Sequence, residues 1–176
     1  MHLLIPYLAL VDHPDPLFDE FTYGDVGQRA AKLKKDLRKG DFVFFHTTSR
    51  GEHYVTSYYV VDRMLDTRAV TENKLLMQKY HNPHLKPGRR VNREDVILFG
   101  DPISSRKLNR PLPFGRSLAE KLSLEIRFPS TRSELASIGS ATRAWRELTD
   151  EDKDTLLDAI EERKTGLHFR TLAFDG

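Results

Sequence analysis

The sequence predicts an α+β fold in which a small mixed sheet has helices before and after it. Short apolar runs bounded by turn-forming residues alternate with stretches of helical spacing in the first three quarters of the chain. From residue 130 the pattern becomes helical, and no internal repeat occurs. The 176 residues suit one domain, and an apolar fraction of 39% is ordinary for a protein with a packed core.

Composition excludes some kinds of site. The chain has no cysteine, which excludes disulfides and thiolate zinc sites. A net charge of +2 permits a polyanionic partner but is below that of a strongly basic nucleic-acid binder. The first apolar run is short, lacks a basic leader and is broken by Pro6, and no run approaches the ~18 apolar residues of a membrane span. We therefore expect a cytoplasmic protein.

Apolar runs of strand length predict the sheet. The first run contains Pro6, which indicates an edge strand or a bulge. Two long runs rich in aromatic and β-branched residues are separated by the loop 49–52, and this spacing predicts an antiparallel hairpin. The predicted strands are residues 2–11, 42–47, 54–65, 95–101 and 124–128.

Helical spacing and end signals predict the helices. Val26, Ala30, Leu33 and Leu37 share one helical face, and Gly40-Asp41 ends that helix. Shorter helices are predicted near residues 75–80 and 116–122. In the last part Thr149 is a helix N-cap, acidic residues follow in the first turn, and Gly166 is the predicted end. We divide the chain into a domain of residues 1–128 and a C-terminal helical extension, 129–176, packed on it.

Enzyme motifs are sparse. The sequence has no G-x-S-x-G and no Walker-type loop, and His81-x-x-His84 is a weak metal signal because no cysteine or suitably spaced carboxylate accompanies it. We therefore predict no catalytic residue, no metal and no cofactor. The alternative is a nucleotide- or nucleic-acid-directed hydrolase or nuclease that uses His46 with a nearby carboxylate, Asp12 or Asp41.

The predicted hairpin mixes aromatic and polar side chains. His46 and Thr47 follow the aromatic pair Phe44-Phe45, and tyrosines alternate with Thr56 and Ser57 on the second strand. Rings that stack on a flat ligand beside hydroxyls and an imidazole that reach its edges suit a nucleobase. An ordinary amphipathic hairpin with aromatic cross-strand pairs fits the same pattern.

A basic segment without acidic residues runs from Pro102 to Leu118. Arginine and lysine among serine, asparagine and proline suit contacts to phosphate oxygens, although a solvated loop has the same composition. The candidate residues for contact with a nucleic-acid backbone are Arg50, Ser104, Ser105, Arg106, Lys107 and Arg110.

The order of these segments resembles the PUA-like superfamily, of the EVE, YTH and ASCH type, with the nucleotide-modification-associated domains as relatives. The resemblance is carried by Gly40-Asp41, by the strand that ends Phe44-Phe45-His46-Thr47, and by the return strand Val55 to Asp62. It covers roughly residues 2–128. Relatives of the EVE and YTH type usually place tryptophans in the pocket, whereas the only tryptophan here is Trp145.

The resemblance implies a barrel-like sheet with a pocket for a nucleobase, often a modified one. It implies a nucleic-acid-binding module that reads a modified base flipped into that pocket, with DNA favoured over RNA and a nuclease or modification enzyme as a further partner. The base-pocket residues are then Tyr7, Phe45, His46, Thr47 and Tyr58. A third interpretation is a protein-interaction adaptor in which Trp145 anchors a partner.

Overall fold

The computed structural model describes residues 1–8, 10, 14–86 and 95–172, with side chains as far as residue 164. The predicted α+β class is confirmed. The strands are β1 (His2–Pro6), β2 (Thr22–Asp25), β3 (Phe42–Ser49), β4 (Glu52–Asp66), β5 (Val96–Gly100), β6 (Arg106–Pro113) and β7 (Arg146–Leu148). The helices are α1 (Gly27–Asp36), α2 (Thr67–Thr71), α3 (Lys74–Lys79), α4 (Arg116–Ala119), α5 (Glu134–Ala141) and α6 (Asp150–Leu172), with one 3₁₀ turn at Pro83–Leu85.

The seven strands form one sheet in the order β2-β5-β4-β3-β1-β7, and β6 also pairs with β4. β1 and β3 run parallel, and the other pairs are antiparallel. The long strand β4 carries β3 on one edge, and β6 and then β5 on the other. In the described part of the chain the terminal strands β2 and β7 do not pair, so the sheet is open and the predicted barrel-like closure is not present.

The predicted hairpin is β3 and β4, joined by the two-residue turn Arg50-Gly51. Both residues have positive φ, 51° and 80°, as a type I′ turn requires, and the twist of that turn matches the twist of the strands. At the turn, β3 extends two residues beyond its predicted end, to Ser49, and β4 begins two residues before its predicted start, at Glu52. At its other end β4 continues to Asp66.

A β-bulge at Thr56 interrupts this hairpin. Phe45 pairs with Ser57, whereas the next residue, His46, pairs with Val55, so Thr56 is an extra residue on β4. On the other edge of β4, Ser57 pairs with Lys107 and Val55 pairs with Leu112, so residues 108–111 of β6 loop out opposite Thr56. A bulge of this kind bends a strand and changes the direction of its side chains.

The two faces of the sheet cover different cores. Phe44 and Val55 pack on one face with α4, α5 and α6, through residues such as Phe114, Ile138 and Leu156. On the other face, strands from both halves of the sheet and helix α1 share a second cluster of Leu3, Ile5, Tyr23, Ala30, Leu33, Val43, Phe45, Tyr59 and Leu98. Because β1 and β3 contribute to both clusters, the residues at the ends of these two strands are held firmly.

Three predictions about element ends and positions are wrong. β1 ends at Pro6 and not at residue 11, residues 124–128 form no strand, and α6 continues through Gly166 to Leu172. β1 is not an edge strand, because β7 pairs with it and forms that edge of the sheet; Leu4 of β1 lies opposite Arg146. β7 lies in a stretch that the sequence predicts to be helical. This pairing joins residues far apart in sequence, so local spacing does not reveal it.

The predicted N-cap at Thr149 is confirmed and is part of a reciprocal cap. The Thr149 hydroxyl accepts from the Asp152 N–H at 3.1 Å, and the Asp152 carboxylate accepts from the Thr149 N–H at 2.9 Å. Asp152 also accepts from the N–H and the hydroxyl of Ser123, at 2.7 and 2.5 Å. Burial alone would raise the pKa of Asp152, but the hydrogen bonds from Ser123 and Thr149 lower it below its usual value.

We expect Asp152→Ala to lower the free energy of unfolding by about 3 kcal/mol, because the variant removes the cap and leaves the Ser123 donors without an acceptor. Chemical denaturation at neutral pH measures this loss. Asp154→Ala is the matched control, since Asp154 is exposed and pairs only with its neighbour Lys153, and it should change stability by less than ~0.5 kcal/mol. Equal effects of the two variants would contradict the capping role.

Candidate functional site

A cavity of about 680 Å³ lies where β1 leaves the sheet. The last β1–β3 pair is Pro6 with His46, while β3 continues to Ser49, so the end of β3 has lost its parallel neighbour. The cavity occupies this position, between β2 and the start of α1 on one side and the end of α5 on the other. Its volume lies within the ~300–1,000 Å³ of small-molecule sites. Its walls are Pro6, Tyr7, Leu8, Leu10, Asp15, Tyr23, Gly24, Asp25, Val26, Arg29, His46, Thr47, Thr48, His53, His84, Gly139, Thr142 and Arg143.

His46 is the unusual residue of this cavity. Its side chain is 3% exposed, yet neither ring nitrogen has a hydrogen-bond partner within the described residues. The ring is held from behind by the edge of Phe114, with ring centroids 5.7 Å apart, and by the backbone bond from Tyr7 N–H to the His46 carbonyl, 3.0 Å. Leaving a buried polar group without a partner costs about 1–3 kcal/mol, so a position like this one is typical of a binding site.

Burial keeps the His46 ring neutral. The pKa of His46 falls from 6.5 to about 4, first because burial disfavours the imidazolium and then because of the neighbouring His53. The Thr142 backbone lies near enough to oppose this shift, although it makes no hydrogen bond of good geometry with the ring. At neutral pH His46 therefore has one N–H donor and one acceptor nitrogen.

His53 lies beside His46, at 6.1 Å between ring centroids, and both of its nitrogens are bonded. In the neutral ring Nε2–H donates to the Leu135 carbonyl at 3.0 Å, because a carbonyl can only accept. Nδ1 then accepts from the Thr48 hydroxyl at 2.9 Å. The close approach of α5 depends on Gly139, where a Cβ atom would lie 3.3 Å from His53 Nε2. His53 is thus a structural residue of the wall.

Asp15 organises the opposite wall. Its carboxylate accepts from the Gly24 N–H at 3.1 and 3.2 Å and from the Asn82 side-chain amide at 3.0 Å, and it lies 3.4 Å from His84 Nε2. Gly24 permits this arrangement, since a Cβ atom there would come within 2.4 Å of the His84 ring. These contacts fix the segment before β2 against the 3₁₀ turn.

Tyr23 and Asp25 complete this wall at the start of α1. The Tyr23 hydroxyl donates to Asp25 Oδ2 at 2.5 Å, and Asp25 Oδ1 accepts from the Val26 N–H at 2.8 Å and pairs with Arg29 at 3.1 Å. Burial, and next the charge of Asp25, raise the pKa of Tyr23 well above its ordinary value, so it stays a neutral donor. These contacts balance the buried charge of Asp25. The wall therefore presents the Tyr23 ring and the Arg29 guanidinium to the cavity.

The structure brings together three of the five predicted base-pocket residues. Tyr7, His46 and Thr47 line the cavity. Phe45 is fully buried in the second cluster, against Tyr23 and Tyr59, and does not line the cavity. Tyr58 packs on Phe42 and Phe44 on the opposite face of the sheet. Strand alternation places Phe45 on the face opposite to His46, whereas Tyr58 pairs with Phe44, two residues before His46 on β3, and so does not reach the cavity.

The predicted phosphate-contacting residues have mixed surroundings. Lys107 and Arg110 are exposed on β6, and Arg110 lies in the loop that bulges opposite Thr56. Arg106 is exposed, but its guanidinium donates to the carbonyls of Ile103 and Ser105. Ser105 itself is fully buried and accepts from the Val60 N–H at 3.0 Å, so its hydroxyl has a structural partner.

The two remaining residues of that set are on loops. Ser104 is exposed, and its N–H donates to Asp101 at 3.1 Å. Arg50 is exposed in the turn at the tip of the β3–β4 hairpin and does not line the cavity. Of the predicted set, Lys107 and Arg110 are therefore exposed cations on β6, which pairs with β4 on both sides of Thr56.

The geometry does not favour the hydrolase alternative. Within the described residues no carboxylate bonds to a ring nitrogen of His46. Asp41 accepts from Met1 and Arg38 at the opposite end of β3, and Asp12 lies outside the described residues. No group of three potential ligands for a metal ion occurs in the described ranges. None of the helices in that same part of the chain is long and apolar enough to cross a membrane.

Sequence reasoning missed several residues of the cavity. His53, Arg29, Thr142 and Arg143 are not among the residues that the sequence marks as candidates, and neither is Asp15. The predicted helix that carries Ala30 and Leu33 is α1, whose start borders the cavity. The remaining signals are contacts between distant parts of the chain, as between Asp15 and Asn82, which a single sequence does not encode in its local pattern.

Comparison with known proteins identifies one matching family. The family model "Nucleotide modification associated domain 3" matches residues 9–164, which include every residue of the cavity from Leu10 onward. A comparison with curated proteins found no match.

Solved structures give weaker likenesses. The DUF55 domain of human thymocyte nuclear protein 1 is 16% identical with a TM-score of 0.48, covering 92% of this chain and 99% of that chain. A variant of the ASCH protein from Zymomonas mobilis is 10% identical with a TM-score of 0.46, covering 89% and 96%. Human THYN1, in complex with DNA containing 5-methylcytosine, is 16% identical with a TM-score of 0.43, covering 91% and 97%. These scores are too low to assign a fold or a function to this chain.

The depressed pKa of His46 predicts a specific pH dependence of stability. The unfolded state binds a proton below about pH 6.5 and the folded state only below about pH 4, so stability is complete above 6.5 and is lost as the pH falls towards 4. Between about pH 7 and about pH 5 the wild type should lose about 2 kcal/mol more than His46→Phe, measured by chemical denaturation.

At neutral pH we expect His46→Phe to be at least as stable as the wild type, because it removes two buried polar atoms without partners. His53→Phe is the matched control and should lose about 1–3 kcal/mol, since the Leu135 carbonyl loses its donor. If His46→Phe were destabilised as much as His53→Phe, His46 would have a structural partner after all.

Proposed function

Since this chain belongs to the nucleotide modification associated domain 3 family, we propose that it is a nucleic-acid-binding module that reads a modified base in the cavity beside His46. The observation that carries this proposal is the His46 ring, 3% exposed, which lines a cavity of about 680 Å³ and has neither nitrogen bonded to a described residue. A ligand that bonds to this ring recovers the free energy that the folded protein loses there.

The chemistry of the ring suits a neutral base. A neutral imidazole offers one donor and one acceptor, and the edge of a nucleobase alternates the same two kinds of group. Tyr7 and Tyr23 provide aromatic walls, and the Tyr7 hydroxyl donates to Thr56 at 3.1 Å, which fixes the ring. The carboxylates of Asp15 and Asp25 are engaged by protein groups, so the polar groups beside His46 suit an uncharged base, while Arg29 and Arg143 line the cavity as cations.

Phosphates would lie outside the cavity, along β6. The loop 108–111 carries Arg110 opposite Thr56, whose hydroxyl accepts from Tyr7, so this basic edge adjoins the cavity wall. Lys107 pairs with Asp19, an exposed carboxylate 3.3 Å away, and a surface ion pair of this kind is weak. A phosphate replaces such a partner readily, and the resulting affinity depends on salt.

The module is a reader and not a catalyst in this proposal. Flipping a base out of a duplex costs a few kcal/mol, which stacking on Tyr7 and bonds to His46 must return. DNA is favoured over RNA as the partner. Any covalent step would belong to a separate nuclease or modification enzyme acting with this protein.

The test is fluorescence-anisotropy binding to short single- and double-stranded DNA and RNA, plain and carrying methylated adenine or cytosine. We expect preference for one modified base, and at least a ten-fold loss of that preferred binding in His46→Phe, because the base loses its hydrogen-bond partner. Arg110→Met should keep the preference and reduce the salt slope by about one.

His81→Phe is the matched control, because His81 is exposed, pairs with Glu20 and does not line the cavity. It should bind as the wild type does. Binding that ignores base modification and survives His46→Phe would contradict the proposed pocket. Absence of binding to every probe would contradict the nucleic-acid function itself.

A further inference from the structure

We propose that a second cavity, beside the first, holds the base of the adjacent nucleotide, so that the ligand is an unpaired strand of at least two nucleotides. This inference rests on the proposed function. The second cavity has a volume of about 350 Å³ and shares Tyr7, Leu8, Leu10 and Asp15 with the first. Its own walls include Pro16, Phe18 and Lys107.

Tyr7 is the partition between the two cavities. Its ring is half-buried and held at three points: the backbone N–H bonds to His46, the hydroxyl bonds to Thr56, and the ring edge meets Phe18 with centroids 5.5 Å apart. Burial raises the pKa of Tyr7, so the hydroxyl remains a donor. A fixed aromatic ring between two spaces offers a surface to each of two successive bases.

The second cavity has the composition of a stacking site. Phe18 supplies a second ring, and Lys107 Nζ lies 5.8 Å from the centre of that ring. Bases stack on aromatic side chains whatever their sequence, and a nearby cation neutralises the phosphate that joins two nucleotides. Leu8 and Leu10, 74% and 53% exposed, are large apolar side chains at this mouth, and a stacked base would cover them.

Two buried hydroxyls of β4 have no hydrogen-bond partner in the described part of the chain. Tyr59 is fully buried, and its hydroxyl has no hydrogen-bond partner among the described residues. Burial and then the charge of Asp15 raise the pKa of Tyr59 well above its ordinary value, with a further contribution from Asp19, and both carboxylates line the second cavity. Ser57, which pairs with Lys107 across the strands, is likewise buried with an unpartnered hydroxyl. Neither hydroxyl lines the second cavity, which is therefore defined by its aromatic rings and by Lys107.

The ligand class follows from the shared wall. Two successive bases that are separated by a protein side chain cannot stack on each other, and neither can stay paired in a duplex. A strand that is already single pays less unstacking free energy than a duplex does. The site therefore selects an unpaired dinucleotide, whereas a reader with one pocket would accept a single flipped base.

The experiment compares the wild type on labelled deoxydinucleotides, on the same dinucleotides with either base replaced by an abasic sugar, and on the mononucleotides. One position carries the modified base that binds best in the fluorescence-anisotropy test of the proposed function. If that test shows no preference, this position carries unmodified adenine. We expect the intact dinucleotide to bind about ten-fold tighter than the abasic form that keeps only the preferred base. Phe18→Leu should reduce this ratio to about two or less, because the second ring is lost.

The matched control for Phe18→Leu is Phe128→Leu, since Phe128 is also half-buried beneath a cation, Arg116, on the other side of the sheet. If Phe18→Leu does not fold, Lys107→Met serves instead, with Lys79→Met as its control, because Lys79 lies over Tyr80 in the same way. Lys107→Met should weaken both the dinucleotide and its abasic form and lower the salt slope by about one, and Lys79→Met should change neither.

If the intact and abasic dinucleotides bind with equal affinity while His46→Phe still weakens binding, the second base site is overturned and the proposed function stands. Tighter binding of a duplex than of the single strand would also overturn it. Loss of all nucleotide binding, His46-dependent or not, would overturn the proposed function together with this inference.

Discussion

The arrangement of the candidate site depends on one extra residue, Thr56. Because β4 has one residue more than β3 at this point, Val55 turns towards the helical core while Ser57 and Tyr59 stay on the other face. A one-residue difference in register exchanges the faces of a strand. Thr56 also bonds to Tyr7 and to the Phe45 carbonyl, at 3.1 and 3.3 Å, and it faces the looped residues 108–111. The bulge therefore connects the cavity wall to the basic edge of the sheet.

In the described part of the chain, His46 and His53 differ in how their buried ring nitrogens are bonded. Both rings are buried next to each other, but only the His53 nitrogens are bonded, to Thr48 and Leu135. A leucine or phenylalanine at position 46 would avoid the cost of two buried nitrogens without partners. The protein keeps that cost at the one histidine that ends the β1–β3 pairing and lines the cavity. Retaining an unfavourable group there is understandable if a ligand supplies the missing bonds.

The sequence predicted the elements that are set by local patterns. The hairpin, the helix after Gly24, the cap at Thr149 and the α+β class are confirmed, and the family assignment from Gly40-Asp41 and the strand ending at Thr47 is confirmed by the family match. It did not predict β7, which forms because β1 offers a free edge, nor the open sheet. It placed His46 in the site but also Phe45, since a linear motif does not reveal which of two adjacent side chains faces the cavity. The partners of Asp15 and the loop at 108–111 depend on long-range contacts.

The distribution of charge separates affinity from specificity. Inside the cavity the carboxylates of Asp15 and Asp25 are each bonded by backbone N–H groups and basic or polar side chains, and His46 is neutral, which suits an uncharged base. Outside, Lys107 and Arg110 lie on β6 next to Thr56, where water surrounds them and phosphate contacts act without regard to sequence. A modified base would thus be chosen by neutral groups on β1, β2 and β3, while the strand would be retained by cations on β6. Because Thr56 joins the two regions through Tyr7, a shift in the bulge would misplace a bound base relative to its own phosphate.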